Sequence, residues 1–234
     1  MVRIILCGGD EAGRGALLGP LVISLVAAKP GAIHKFSDIG VRDSKLLTRR
    51  RRDMLYDSIN DIAVDVKVGF ISPAEINDAM KNNISLNELE AVHFARLFDT
   101  IGADVDKLYL DSPDVIAEKF GIRVNMTSKR PTVPSGAKQL KKGDVKYTKI
   151  ISEHKADARY PVVSAASIVA KVNRDRAMDL LTEELGIELG SGYPSDDVTI
   201  GAVRDNLANA ALLKHVREHW ATMQNIKQTR LSNF

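Results

Sequence analysis

The order of hydrophobic and polar positions along the chain predicts alternating strands and helices. Continuous apolar runs indicate buried strands, and strict apolar–polar alternation indicates a half-buried one. By these criteria the predicted strands cover residues 2–7, 20–28, 64–71 and 107–110. Apolar residues at helical spacing predict helices over 48–62, 85–101, from 112 onward, 161–185, 197–209 and 211–223. We therefore expect an α/β fold.

Composition narrows the class of protein only slightly. The hydrophobic content of 44% suits an ordinary buried core, and no window approaches the ~18 uncharged apolar residues of a membrane span. The first residues show no signal-peptide cleavage pattern, because the apolar run leads directly into acidic residues. The single cysteine, Cys7, falls inside a predicted strand and should pack as a small hydrophobic residue. We expect a disulfide-free, cytoplasmic protein.

Basic residues are concentrated in two places. Residues 127–149 carry seven basic side chains against one acid, and prolines and a glycine predict a looping connection there. Arg49–Arg52 form a second basic cluster at a predicted helix start. A solvated surface is the commoner meaning of such runs, whereas contact with a polyanion such as nucleic acid is the functional alternative.

Two adjacent acids and a glycine-flanked arginine follow the first predicted strand. Asp10 and Glu11 come first, and Gly13, Arg14 and Gly15 come next. Neighbouring side chains on a regular strand point to opposite faces, so both acids can serve one site only where the strand ends. The glycines permit a close approach of the backbone to a ligand. The run suits a metal-bound phosphate, and an acidic turn is the alternative.

Two further acids lie beside apolar segments. Asp111 ends a predicted strand, and Asp157 precedes the long apolar helix. Converging carboxylates would repel one another by roughly 4 kcal/mol per pair at ~4 Å, and a divalent cation such as Mg²⁺ would relieve this repulsion. Taken separately, Asp111 could cap a helix and Asp157 could form a salt bridge. Their convergence is a hypothesis that only a structure can test.

Five motifs follow one another along the chain: Asp-Glu-Ala-Gly-Arg-Gly at 10–15, Asp-Ser-Lys at 43–45, Leu-Asp at 110–111, His-Lys-Ala-Asp at 154–157 and Val-Ser-Ala-Ala-Ser-Ile-Val-Ala-Lys-Val at 163–172. In this order they resemble the motifs of type 2 ribonuclease H (ribonuclease HII), archaeal branch. The similarity runs from about residue 3 to residue 220. Two positions depart from the family pattern: Ala16 replaces a common proline, and Gly9 replaces a usual aliphatic residue. Neither departure removes a functional group.

The resemblance implies a fold and a chemistry. The fold would be a ribonuclease H-like mixed β-sheet flanked by helices, with a small helical C-terminal region. The four acids Asp10, Glu11, Asp111 and Asp157 would be the catalytic residues and would bind two Mg²⁺ or Mn²⁺ ions. The enzyme would hydrolyse the RNA strand of RNA–DNA hybrids and incise duplex DNA 5′ of embedded ribonucleotides, leaving 3′-hydroxyl and 5′-phosphate ends.

The resemblance also implies substrate-binding residues. The backbone of Gly13, Arg14 and Gly15 would sense the ribose 2′-hydroxyl, which distinguishes RNA from DNA. Lys45 would contact phosphate, and Tyr193 would stack at an RNA–DNA junction. Alternatively, Lys45 is an ordinary surface residue, and Tyr193 anchors its loop. Arg52, Lys171 and Arg174 also match the family pattern, but packing or ion pairing explains these three equally well.

Three rival functions fit the sequence less well. The His215–His219 segment matches the H-x-x-E-H pattern of some zinc proteases. Only a polar tail follows this segment, and it offers no clear third zinc ligand. An ordinary i,i+4 histidine pair on one helix is therefore the better interpretation. A dinucleotide-binding loop would need a third glycine where Leu18 stands, and the two acids would repel a pyrophosphate. A non-catalytic RNA-binding module would leave four acids without a role.

We predict a catalytic domain over residues 1–188, a helical C-terminal region over 189–224 and a polar tail over 225–234. The tail reads Gln-x-x-Leu-x-x-Phe at Gln228, Leu231 and Phe234. This spacing resembles the short peptide by which replication and repair enzymes bind the sliding clamp. A frayed terminus is the alternative. The expected partners are therefore nucleic acid and a clamp, and the expected oligomeric state is a monomer.

Overall fold

The protein is represented by a computed structural model in which residues 4–41, 47–135 and 146–231 are described, with side chains described through Gln228. The predicted phosphate contact Lys45 and the tail residue Phe234 lie outside the described residues. None of the described helices has both the length and the apolar character needed to cross a membrane.

The described elements alternate along the chain as an α/β protein requires. The strands are β1 (Leu6–Ala12), β2 (Leu21–Ala28), β3 (Asp65–Ile71), β4 (Lys107–Asp111), β5 (Thr132–Pro134) and β6 (Thr148–Glu153). The helices are α1 (Pro30–Asp38), α2 (Arg49–Ile62), α3 (Pro73–Lys81), α4 (Leu86–Asp99), α5 (Ala117–Thr127), α6 (Ala156–Arg159), α7 (Pro161–Leu185), α8 (Asp197–Asp205), α9 (Ala210–Leu213) and α10 (Ala221–Leu231).

The strands form one mixed six-stranded sheet in the order β3-β2-β1-β4-β6-β5, which confirms the predicted fold class. Strands β1, β4 and β6 are parallel neighbours, so their carboxyl ends lie at the same edge. The register pairs Leu6 with Lys107 and continues to Gly9 with Leu110. One step further along this register, Asp10 and Asp111 come side by side.

Contacts divide the chain into two compact units. The first comprises Met1–Glu11, Ile23–Gly69 and Asn87–Val172, and the second comprises Ala12–Val22, Phe70–Leu86 and Asn173–Phe234. In the first unit, a core cluster joins apolar residues of β2, α1 and α2 to the first three turns of α7. The second unit has a core of its own, which includes Leu17, Leu18, Met178, Leu212 and Val216.

Cys7 packs as predicted. Its side chain is completely buried in β1, and this burial raises the pKa of the thiol. The thiol therefore stays protonated at neutral pH, which makes it a poor nucleophile.

Most of the predicted helices and strands are confirmed. The long helix α7 begins and ends at the predicted residues. The predicted first strand is displaced: β1 begins at Leu6 and continues through both acids to Ala12, so the backbone leaves the strand only at Gly13. The helix predicted from residue 112 begins at Ala117. Tertiary hydrogen bonds explain that delay, because the Asp114 carboxylate accepts from the side chains of Asn87 and Arg123 and holds the intervening turn.

The helix predicted over 211–223 is wrong, and so is the helical pairing of His215 with His219. Helix α9 ends at Leu213, and α10 begins only at Ala221. Between them the backbone bonds to another segment of the second unit: Gly19 N donates to the His215 carbonyl and Arg217 N donates to the Leu17 carbonyl, both at 2.9 Å. These tertiary bonds replace the i→i−4 bonds of a helix.

Gly8 permits a close approach of helix α7 to strand β1. A Cβ atom on Gly8 would lie 2.4 Å from the Val162 carbonyl carbon and oxygen, and 2.5 Å from the Val163 nitrogen. Backbone atoms cannot yield as the end of a flexible side chain can. A glycine is therefore required here, directly before the acidic pair.

We expect Gly8→Ala to destabilise the protein, because the added methyl group must displace the start of α7. Overpacking of this kind costs about 1–3 kcal/mol, and each kcal/mol lowers the Tm by about 2–4 °C in a chain of this size. Thermal unfolding of the purified variant measures the loss.

The matched control is Gly31→Ala in helix α1, where an added Cβ meets nothing within 4 Å. This variant should keep or slightly raise the Tm, since alanine favours helix. Equal Tm values for the two variants would contradict the close approach at Gly8.

Candidate active site

Three carboxylates converge at the carboxyl edge of the sheet in the first unit. Asp10 lies in β1, Asp111 ends β4 and Asp157 lies in the short helix α6. Each contributes an oxygen atom to a group in which all the oxygens lie within 4.8 Å of one another. Asp10 is only 5% exposed and Asp157 only 8% exposed. The parallel register and the approach of α6 together create this cluster.

Hydrogen bonds hold two of these carboxylates in place. The Glu11 amide donates to Asp10 Oδ1 at 2.8 Å, and the Ser167 hydroxyl donates to the same carboxylate. The Ala156 amide donates to Asp111 Oδ1 at 2.9 Å. The last bond links the end of β4 to the first residue of α6.

The backbone around Asp157 is shaped by a left-handed residue and by a serine. Lys155, which precedes α6, has φ 56°, a conformation that turns the chain sharply between β6 and α6. The Ser164 hydroxyl of α7 donates to the Asp157 carbonyl and, at 3.3 Å, to the Tyr160 carbonyl. Helix α7 therefore fixes the segment that carries Asp157.

Burial and neighbouring charge make Asp10 hard to ionise. Burial raises the pKa of Asp10 well above its usual range, and the charges of Glu11 and Asp111 raise it further. The hydrogen bonds from Ser167 and from the Glu11 amide oppose this shift. A cation at the cluster would favour the ionised form.

The chemistry of the donors fits a hard divalent cation. All three clustered side chains are carboxylates, and oxygen ligands of this kind suit Mg²⁺ and Mn²⁺. Glu11, the fourth predicted acid, lies outside the group of three, as expected for a neighbour of Asp10 within a strand. Its charge nevertheless acts on Asp10.

The Gly13–Gly15 segment forms a tight turn in the second unit. Gly13 has φ +88°, and the Ala16 amide donates to the Gly13 carbonyl at 3.2 Å. The fully buried Arg217 donates to the Arg14 carbonyl at 2.7 Å and to the Gly19 carbonyl at 3.1 Å. Arg217 thus holds the turn from the protein interior, while Gly15 is exposed to solvent.

Tyr193 lies in a second, extensively hydrogen-bonded turn of the same unit. Asp196 Oδ2 accepts from the Ser191 amide at 2.6 Å, and Thr199 Oγ1 accepts from the Gly192 amide at 2.9 Å. The hydrogen bonds from Ser191 lower the pKa of Asp196, so this acid stays ionised. Tyr193 itself is half-buried.

Two basic side chains of the stretch over 127–149, Arg130 and Lys146, have partners within the protein. Arg130 donates to the carbonyls of Ile101 and Ala103, both at 2.6 Å, and covers the Phe98 ring. Lys146 pairs with Asp106 at 2.9 Å. The predicted loop also contains β5 and the start of β6, while residues 136–145 lie outside the described part of the chain.

Sequence reasoning missed several residues that support the predicted groups. Ser164 and Ser167 bond to the acidic segment, and Arg217 holds the Gly13–Gly15 turn. The two serines were detectable in principle, because they lie one helical turn apart in an otherwise apolar stretch. Arg217 gave no comparable signal, since its partners are backbone carbonyls about 200 residues away.

Comparisons with known proteins agree with the fold. The ribonuclease HII family model matches residues 7–223. Ribonuclease HII of Thermococcus sibiricus is 37% identical over 224 residues, covering 95% of this chain and 91% of the relative. Ribonuclease HII of Cenarchaeum symbiosum is 39% identical over 218 residues, covering 93% and 95%.

Solved structures show the same relationship. The crystal structure of ribonuclease H2 from Pyrococcus horikoshii OT3 matches with a TM-score of 0.81 and 36% identity, covering 97% of this chain and 98% of that one. The structure of the PCNA:RNase HII complex from Archaeoglobus fulgidus matches with a TM-score of 0.75 and 32% identity, covering 93% and 95%. The chain belongs to the ribonuclease HII family, and it is therefore a ribonuclease H hydrolase.

The raised pKa of Asp10 predicts a pH-dependent gain in stability for Asp10→Asn. Without metal, native Asp10 keeps its proton to a higher pH than unfolded Asp10 does. The wild type therefore loses stability as pH rises from the unfolded pKa to the folded one. In chelator near pH 8, Asp10→Asn should melt at a higher temperature than the wild type, because asparagine carries no charge that burial can penalise.

The difference in Tm should shrink as the pH falls below about 4, because the unfolded wild type then becomes protonated at this carboxyl as well. Asp57→Asn, at an exposed position of α2, is the control and should show no such trend. Excess Mg²⁺ should raise the Tm of the wild type more than that of Asp10→Asn. A pH-independent difference between the two proteins would contradict the role of Asp10 ionisation.

Proposed function

We propose that this protein hydrolyses the RNA strand of RNA–DNA hybrids and incises duplex DNA 5′ of embedded ribonucleotides. The products would carry 3′-hydroxyl and 5′-phosphate ends, and the activity would serve DNA replication and repair. The observation that supports this most strongly is the cluster of Asp10, Asp111 and Asp157, within 4.8 Å, in a member of the ribonuclease HII family.

The acids would hold the metal. Asp10, Asp111 and Asp157, together with Glu11, would bind two Mg²⁺ or Mn²⁺ ions. When bound, such ions activate water as a nucleophile and stabilise the departing 3′ oxygen. This chemistry needs no histidine or lysine as general base.

The residues around the acids would keep them in the ligating orientation. Ser167 and the Glu11 amide orient Asp10, and the Ala156 amide orients Asp111. These donors also stabilise the ionised carboxylates, which is the form that binds a cation. We expect little rearrangement of the three side chains when metal binds.

Recognition of the ribonucleotide would come from the second unit. The backbone of Gly13, Arg14 and Gly15 would bind the ribose 2′-hydroxyl, and Tyr193 would stack at the junction between RNA and DNA. The hydrogen bonds that hold each turn support this proposal, because preformed turns lose little entropy on binding. Lys45 remains a proposed phosphate contact from its sequence alone.

We also propose that the C-terminal segment binds the replication sliding clamp. The related ribonuclease HII of Archaeoglobus fulgidus has been solved in complex with PCNA. In this chain helix α10 extends to Leu231 and includes Gln228. The Gln228, Leu231 and Phe234 spacing would place one aliphatic and one aromatic anchor on the same side of a helical turn.

Cleavage at ribonucleotides should require both metal and Asp111. Asp111→Asn should lower turnover by about 100-fold or more, because even outer-shell partners of a metal ligand contribute up to about that factor. The amide oxygen of asparagine can still accept from the Ala156 amide, so the fold should persist. A gel assay with a hybrid, a single-ribonucleotide duplex and an all-DNA duplex, each with and without Mg²⁺, measures this.

Asp57→Asn is the charge-matched control and should cleave like the wild type. The all-DNA duplex should remain intact throughout. Full activity of Asp111→Asn, or cleavage that persists in excess EDTA, would refute the metal-dependent mechanism.

Clamp binding should depend on the last residues. Calorimetric titration of the cognate clamp should show binding to the full chain and none to a version ending at Lys227, because the truncation removes Gln228, Leu231 and Phe234. Both versions should cleave short oligonucleotides equally. A full-length Leu231→Ala/Phe234→Ala variant serves as a control for the truncation. Equal clamp binding by the full and truncated chains would show that the tail is not the anchor.

A further inference from the structure

Arg174 is a buried cation that contacts both turns proposed to recognise the substrate. It lies in α7 within the second unit, and only 1% of the residue is exposed. Its Nε atom lies against Gly13, and its Nη2 and Cζ atoms lie against Gly192 and the Tyr193 ring. From the sequence alone, Arg174 could not be distinguished from an arginine that only packs on a helix face or forms an ion pair.

The guanidinium lies directly against two glycines whose backbone conformation and neighbouring carbonyls also exclude a side chain. A Cβ on Gly13 would lie 2.5 Å from Arg174 Nε, and a Cβ on Gly192 would lie 2.6 Å from Arg174 Nη2. Both glycines also have positive φ, +88° and +80°. Arg174 therefore fits against bare backbone in both turns.

Arg174 also supports the Tyr193 ring. Its Cζ atom lies 4.7 Å from the ring centroid, within the distance of a cation–π contact. The turns are joined directly as well, because the amides of Leu17 and Leu18 both donate to the Gly192 carbonyl, at 2.8 and 3.1 Å. The two turns and Arg174 thus form one continuous contact network.

Stability alone does not explain an arginine at this position. Burial lowers the pKa of Arg174 despite the opposing effects of Tyr193 and Asp175, so the surroundings on balance disfavour its charged form. Among the described residues no acceptor lies within hydrogen-bonding distance of Nε, and Nη2 reaches the Leu18 carbonyl only at 3.5 Å. A buried charge with few partners is commonly no more stable than an apolar residue of similar volume.

We propose that Arg174 is a positioning residue that fixes the Tyr193 ring and the Gly13–Gly15 turn as a single rigid element for ribonucleotide recognition. The inference rests on the proposed function of those two turns. Arg174 acts through Tyr193 and the turn, and it touches no reacting atom.

A double-mutant cycle between Arg174 and Tyr193 tests the proposal. The variants are Arg174→Met, Tyr193→Ala and the double variant, with kcat and KM measured on a single-ribonucleotide duplex and on a long hybrid. Arg174→Met should lower kcat/KM on the single-ribonucleotide duplex by about 30-fold, the effect of losing a desolvated cation–π contact. The long hybrid should be affected several-fold less.

The double variant should be no worse than the more impaired single variant, because each change disrupts the same element. The Tm of Arg174→Met should remain within a few degrees of the wild type. Arg204→Met, which removes an exposed arginine of the same unit, is the charge control and should leave both substrates unaffected. If Arg174→Met fails to fold, Arg174→Lys replaces it in the cycle, since lysine keeps the charge but lacks the planar group.

The outcomes separate the two proposals. If Tyr193→Ala impairs the single-ribonucleotide duplex selectively but the two changes are additive, the role of Arg174 is refuted while that of Tyr193 stands. If Tyr193→Ala impairs both substrates equally, the proposed role of Tyr193 is refuted, and that of Arg174 with it. Equal losses on both substrates for Arg174→Met would indicate a structural role and would also refute the proposal.

Discussion

Carboxylates that lie within 4.8 Å of one another, with Asp10 and Asp157 nearly inaccessible to water, repel each other strongly. The fold must therefore hold Asp10, Asp111 and Asp157 against this repulsion until a cation offsets it. Parallel pairing of β1 with β4 brings two of the acids together, and α6 adds the third. The raised pKa of Asp10 is the direct electrostatic consequence.

The surrounding first unit is organised to maintain that arrangement. Gly8 lets the start of α7 lie against β1, and from there the Ser167 hydroxyl reaches Asp10. The same helix presents Ser164 to the segment that carries Asp157. Apolar packing of α7 against the sheet thus determines where polar donors meet the acids, which is how burial supports the proposed metal chemistry.

In the second unit the main constraint is on backbone conformation, because two tight turns must keep a fixed geometry. Glycines allow the positive φ values, and at Gly13 and Gly192 the buried Arg174 occupies the space that a side chain would have filled. Arg217 bonds to the Arg14 carbonyl from one segment, and Arg174 contacts Gly13 from another. Rigid turns of this kind suit recognition of a 2′-hydroxyl, for which small displacements decide whether a hydrogen bond forms.

The sequence by itself determined the α/β class, the extent of α7 and the family, because periodicity and contiguous motifs are local properties. It also identified the acids, although it expected β1 to end before them. Only the tertiary structure decided that Asp10, Asp111 and Asp157 converge while Glu11 lies outside the group. It alone placed a non-helical segment at His215–His219 and showed which groups Ser167, Arg174 and Arg217 contact. Those features depend on contacts between segments far apart in the chain, and such contacts leave no periodic trace in a single sequence.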